Sequence, residues 1–251
     1  MPLHYLRRLT GKERTRAANR ELAYFLAFVA GAANAGGYLA VRQYTSHMSG
    51  IVSAMADSLA LGDGALLLAG GEALGSFVAG AALTAVLVNW GKRRNLEGAY
   101  AIPLVVEAGL LLLFGVTGRR WEEQTALAVP ATVVLLCFTM GLQNAIITKL
   151  SNAEIRTTHV TGMVTDLGIE LGKMLYFNGE RQREHVRADW VKVRLLGTLV
   201  GMFFLGGVTG GLGFKYAGFG FTVPLAFVLL VLAAVPVVDD LRGRHRATSR
   251  V

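Results

Sequence analysis

Residues 45–50 read Thr45-Ser46-His47-Met48-Ser49-Gly50, and residues 157–162 read Thr157-Thr158-His159-Val160-Thr161-Gly162. Each phrase follows a long apolar stretch carrying a Gly-x-x-Asn-Ala signature: Gly31, Asn34 and Ala35 before the first, Gly141, Asn144 and Ala145 before the second. Each also precedes a shorter apolar segment. A hydroxyl-rich, His-bearing turn in the same setting twice marks an internal duplication, and the rest of the chain is ordered around it.

Composition sets the solvent. The chain has 251 residues, 53% hydrophobic and 17% charged, with a mean hydropathy of +0.47. That balance calls for a bilayer, and several apolar runs of about 18 or more residues are long enough to cross a hydrocarbon core of roughly 30 Å. The net charge of +8 does not point to nucleic acid, because the basic residues lie between apolar runs and at the ends. Cys137 is the only cysteine, which excludes an intrachain disulfide and a thiolate metal site. The basic start followed by the apolar run from Leu22 resembles a signal peptide, but that run carries Gly31 and Asn34, and cleavage would remove half of the duplicated pattern.

Hydropathy divides the chain into a basic cytoplasmic arm, amphipathic or disordered (1–20), a first membrane repeat (21–117), a connecting loop (118–124), a second repeat (125–239) and a basic cytoplasmic tail (240–251). Spans are expected at about Glu21–Val41, Ala65–Trp90, Tyr100–Val116, Thr125–Thr148, Val193–Gly213 and Phe219–Val238. The segments after the two turns, Ile51–Leu61 and Met163–Phe177, are short, the first about 17 Å as a helix. Further landmarks recur in order: Gly71, Gly75 and Gly80 are answered by Gly197, Gly201 and Gly206, and Pro103 by Pro224. The offsets run from 110 residues (Gly31 to Gly141) to 126 (Gly71 to Gly197). These glycines are expected to allow close helix packing, within the chain or in a homo-oligomer.

Parity then decides topology. If the short segments re-enter, each repeat has three spans and the second is inverted; if they cross, there are eight crossings and the repeats are parallel. With the N-terminus inside, the three-span arrangement puts Lys92, Arg93, Arg94, Lys149, Arg156, the 181–194 loop and the tail in the cytoplasm. It leaves outside mainly Arg42, Lys215 and the mixed loop of Arg119, Arg120, Glu122 and Glu123. Eight crossings place Lys92 to Arg94 outside, against the positive-inside tendency. The expected fold class is therefore an all-α polytopic membrane protein with about six transmembrane helices plus two re-entrant half helices, in two inverted homologous halves.

Charge at membrane depth nominates the chemistry. On a helical wheel His159, Asp166 and Glu170 fall within about 20° of one another and Lys173 about 40° away. The stripe reads either as a proton or cation site or as carboxylates paired with Lys173. The matching positions in the first half are His47, Ala54 and Ser58, so the acids are not duplicated. Asp57 and the mid-span Glu107 are secondary proton-handling candidates. The histidines can titrate or sit as neutral hydrogen-bonding groups beside helix caps formed by Thr45, Ser46, Thr157 or Thr158. Asn34, Gln143 and Asn144 are suited to satisfying broken-helix backbone or to contacting a permeant. No metalloprotease, nucleophile-elbow or phosphate-loop motif occurs, so no catalytic residue, metal or cofactor is expected.

These residues resemble the YoaK-like family of bacterial inner-membrane proteins, catalogued as domain of unknown function 1275. The likeness rests on Gly31, Asn34, Ala35 and Thr45 to Gly50, then Gly141 to Ala145, Thr157, Thr158, His159, Thr161, Gly162, Asp166 and Leu167, and covers about residues 20–240. The resemblance implies about six spans in a bacterial inner membrane and supplies no substrate. The expected function is a small transporter or channel for a small solute or ion, with its pathway between the repeats, proton-coupled through Asp166, Glu170 and His159. Its partners would be the bilayer and that solute, with no nucleic acid. The alternatives are a non-catalytic interaction or scaffold protein and an intramembrane His/Asp enzyme.

Overall fold

The computed structural model describes residues 2–11, 15–121, 125–151, 155–178 and 185–248. Glu122 and Glu123, and Arg181 and Arg183 of the 181–194 loop, which entered the charge argument, lie outside the described residues, as do Lys12 and Arg14 of the N-terminal arm. The described chain is helical throughout: α1 (Pro2–Thr10), α2 (Arg16–Val41), α3 (Met48–Leu61), α4 (Gly64–Arg93), α5 (Ala101–Trp121), α6 (Thr125–Leu150), α7 (Val160–Leu175), α8 (Trp190–Ala217) and α9 (Thr222–Thr248), with a 3₁₀ turn at Gly218–Phe221. Five apolar stretches are long enough to cross a bilayer, and the last, Trp190–Arg242, holds both α8 and α9 in its 53 residues. The chain turns between them at Gly218, whose φ of +57° suits a residue without a side chain. The protein is thus a multi-pass membrane protein with six long helices, α2, α4, α5, α6, α8 and α9.

The helices extend past the hydropathy bounds because hydrogen bonding continues into polar flanks where apolarity stops. Helix α2 starts at Arg16, its first turn capped by Thr15, whose side chain accepts from the Ala18 amide at 3.1 Å. The N-terminal arm carries its own amphipathic helix. Leu9 and Thr10 of α1 are buried, the Thr10 hydroxyl donates to the Leu232 carbonyl at 2.7 Å, and Arg7 Nε meets Asp239 Oδ2 at 2.7 Å. Asp240 accepts from the Glu97 and Gly98 amides at 2.7 and 2.8 Å, which seats the α4–α5 turn against α9.

Inter-helix contacts give the relative directions. Helices α2 and α8 run parallel, with Phe28 against Gly206, Ala32 against Gly210 and Gly36 against Phe214. Helices α4 and α6 are also parallel: Gly80 packs against Phe138 and Leu142, and the Thr84 hydroxyl donates to the Leu142 carbonyl at 2.9 Å. Helices α2 and α6 run antiparallel, because Asn19 donates to the Leu150 carbonyl at 3.0 Å while Gln143, further along α6, donates to the Leu26 carbonyl at 3.3 Å. One end of the bundle therefore collects Lys92, Arg93 and Arg94, Lys149, Lys173, Lys192, Arg194 and Arg242, and is called the basic end below. The far end carries Arg42, Asp57, Asp63 and Lys215.

The two short helices do not run the depth of the bundle. After α2 ends at Val41, Ser46 bonds Asn34, so the chain has returned seven residues in depth before α3 begins. Helix α3 then runs outward and pairs with the start of α4, Met55 lying against Gly70. The second half repeats this: Thr158 bonds Asn144, six residues before the end of α6, and α7 runs back to the basic end. With 14 and 16 residues, α3 and α7 are roughly 21 and 24 Å long, short of the ~30 Å core.

Close packing in the two glycine series is confined to the last member. A methyl group on Gly80 or Gly206 would collide with the backbone carbonyl of Phe138 or Phe28, and one on Gly141 or Gly31 with that of Phe77 or Phe203. Gly71, Gly75, Gly197 and Gly201 face open space instead, so the packing expected of them from sequence is not made within this chain. Alanine at Gly31, Gly80, Gly141 or Gly206 is expected to cost about 1–3 kcal/mol through overpacking against an immovable backbone. Alanine at Gly75 or Gly201 is expected to cost nothing measurable. Thermal unfolding of the purified variants in detergent checks this contrast, and equal losses in both sets would refute the packing assignment.

Candidate functional site

Both broken-helix turns open onto one cavity of about 1,010 Å³ between the halves. Its walls are built from equivalent residues: Asn34 and Asn144, Ser46 and Thr158, His47 and His159, Ser49 and Thr161, Phe77 and Phe203. The hydroxyl of Ser46 donates to Asn34 Oδ1 at 3.0 Å, and that of Thr158 donates to Asn144 Oδ1. Each asparagine therefore tethers a turn back to the long helix before it. The expected side-chain caps are not formed: His47 and His159 occupy the N-cap positions of α3 and α7, and neither terminus has a side-chain cap bond. Hydroxyls one or two residues before each histidine are spent on the tether or, for Thr45 and Thr157, stay buried without a partner. Each imidazole folds over the third residue of its helix, Gly50 or Gly162, where any side chain would displace the ring.

Two smaller cavities adjoin the central one. A cavity of about 400 Å³, between α3, the start of α4 and the start of α6, reaches His47 from the far end. A second of about 560 Å³, between α7 and the start of α8, reaches His159 from the basic end. Each histidine lines both the central cavity and one flanking cavity. The three cavities thus adjoin one another at the histidines, His47 on the far side of the central one and His159 on its basic side.

The remaining sequence candidates lie elsewhere. Thr45 and Gln143 are fully buried off the cavity, the latter bridging α6 to α2 through Leu26. Asp57 is exposed on α3. Glu107 is fully buried in α5, outside these three cavities, with neither carboxyl oxygen hydrogen-bonded. Asp166 lines the basic-end cavity and meets Lys192 at 3.3 Å. Glu170 is 1% exposed and is a strut: it accepts from the Asp189 amide at 2.9 Å and from Lys173 at 2.9 Å, tying α7 to the start of α8. The Asp189 amide, then Lys173, hold its carboxyl below the ordinary carboxylate range, so the tie is intact at neutral pH and is lost only as acid protonates it. Among the described residues no group of three or more metal-ligating side chains forms.

Sequence reasoning missed Phe77, Phe203 and Arg156 as cavity residues. The two phenylalanines stand three residues before Gly80 and Gly206, so the 126-residue offset carried a usable signal. Arg156 carried none, since it reads as one more basic residue of a loop. Removing the strut with Glu170→Gln is expected to lower Tm by about 2–6 °C, whereas Asp166→Asn, in a more exposed pair, changes it by under about 1 °C. Equal effects in thermal unfolding would show that Glu170 does not hold α7.

No curated protein and no solved structure matches the chain. A family model described as protein of unknown function (DUF1275) matches residues 22–235, most of the sequence, and the chain belongs to that family.

Proposed function

We propose that the protein is a small solute transporter or channel made of two inverted three-span repeats, with its pathway at their interface. The observation that carries this reading is the paired arrangement: two equivalent half-helix turns line one central cavity, and a flanking cavity shares a histidine with it on each side. Non-helical backbone at membrane depth is tolerated where protein buries it or where it lines a watery cavity, and paired broken helices at a repeat interface are the usual form of a transport site. The antiparallel course of the equivalent helices α2 and α6 supports inversion. The positive charge gathered at one end supports placing that end, with both termini, in the cytoplasm of a bacterial inner membrane.

An interaction or scaffold role is less well supported, because a scaffold needs no duplicated, histidine-bearing cavity between its halves. An intramembrane enzyme is less well supported still. The cavity brings the two histidines together, yet the acids proposed to work with them are held by Lys192, Lys173 and the Asp189 amide.

Two measurements test the proposal. With Cys137 buried and silent, a cysteine at Arg94 is expected to react with an impermeant maleimide only from the cytoplasmic side, and one at Leu61 only from the opposite side; labelling of both from one side would sink the inverted arrangement. In proteoliposomes, Ser49→Trp and Thr161→Trp are each expected to cut solute flux at least tenfold by filling the central cavity, with Tm nearly unchanged. Flux indifferent to both would remove the cavity from the pathway.

A further inference from the structure

We infer that the central cavity binds a small oxyanion, a carboxylate- or phosphate-type group; this identifies the solute class and rests on reading the cavity as the solute site. The first observation is the orientation of the half helices. Helices α3 and α7 both begin at the cavity, so their positive ends face it from opposite sides. A helix N-terminus carries roughly half a positive charge, with amides free to donate. Neither end is closed by a side-chain cap, which would otherwise consume those donors.

The second observation is independent of the helices. Asn34 is only 8% exposed and lines the cavity. Its Oδ1 is occupied by the Ser46 hydroxyl, while its Nδ2 has no hydrogen-bond partner. On the opposite wall Asn144 is fully engaged, its Nδ2 donating to the Met140 carbonyl at 3.0 Å. The asymmetry leaves the Asn34 amide donor, on a largely buried side chain, open to the cavity.

Charge settles the sign. Arg156 lines the same cavity and forms no ion pair among the described residues, and no Asp or Glu lines it. Two helix ends and one guanidinium amount to roughly two positive charges; Arg156 also lines the basic-end cavity, whose one carboxylate, Asp166, is already paired with Lys192 at 3.3 Å. A cation would be repelled, and a neutral solute would leave that field uncompensated. Donors on opposite walls of a cavity far larger than a halide suit a multi-oxygen anion, which accepts from several directions at once.

The full-length protein in detergent, titrated with sodium formate, acetate, inorganic phosphate and sulfate at constant sodium and ionic strength against sodium chloride, provides the test by thermal shift. At least one oxyanion is expected to raise Tm saturably where chloride does not, with its Kd weakened about tenfold or more by Arg156→Gln and by Asn34→Leu and unchanged by Arg194→Gln, outside the cavity. No saturable shift with any of the four oxyanions, a shift only with chloride, or one indifferent to Arg156→Gln and Asn34→Leu overturns the inference. Flux in proteoliposomes separates the two readings: an oxyanion that binds at this site but does not cross refutes transport and leaves the site standing. Passage of a cation or neutral solute without oxyanion binding does the reverse.

Discussion

Every peptide group placed in hydrocarbon must find its hydrogen bonds within the protein, and the architecture follows from the two places where this chain stops being helical at that depth. A stranded buried polar group costs several kcal/mol, more than the roughly 0.5–1.5 kcal/mol a typical hydrogen bond returns. Breaks at residues 42–47 and 155–159 are therefore tenable only if something shields or wets them. Here Asn34 and Asn144 tether the turns, Thr45 and Thr157 are buried, and both turns line a shared cavity.

The shielding is reciprocal between the halves. The first long helix of each repeat packs against the second long helix of the other, α2 on α8 and α6 on α4, at contacts so close that glycine is the only residue that fits. Neither repeat can bury its own glycine face, so each completes the other, and the interface that encloses the cavity is also the main packing surface of the molecule. Polar bridges such as Thr84 to Leu142 and Gln143 to Leu26 fix the register of that interface, because slippage would strand them.

Superimposed on this symmetry are differences that concern function. Helix α7 is clamped to α8 through Glu170, while the matching Ser58 of α3 bonds only its own helix, to Ala54. Tyr44 stands where the second half has Arg156, and Asn34 keeps a free donor where Asn144 has none. Charge and donor capacity are thus unequal on the two sides of one cavity.

Membrane residence, six long helices, two short ones and the duplicated turns were legible in the sequence, because hydropathy, segment length and repeat spacing are properties of consecutive residues. The tally of basic residues pointed to one charged end for the same reason, and Asn34, His47, Asn144 and His159 were recognisable by recurring at one offset. Tertiary structure alone decided which helix of one repeat meets which helix of the other, hence why Gly80 and Gly206 are packed while Gly75 and Gly201 are not. It also decided that Glu170 is a strut and Arg156 a cavity wall. The glycine contacts join segments 58 or more residues apart, and the Glu170 tie to the Asp189 amide and the place of Arg156 depend on how loops fold back, none of which leaves a periodic trace along the chain.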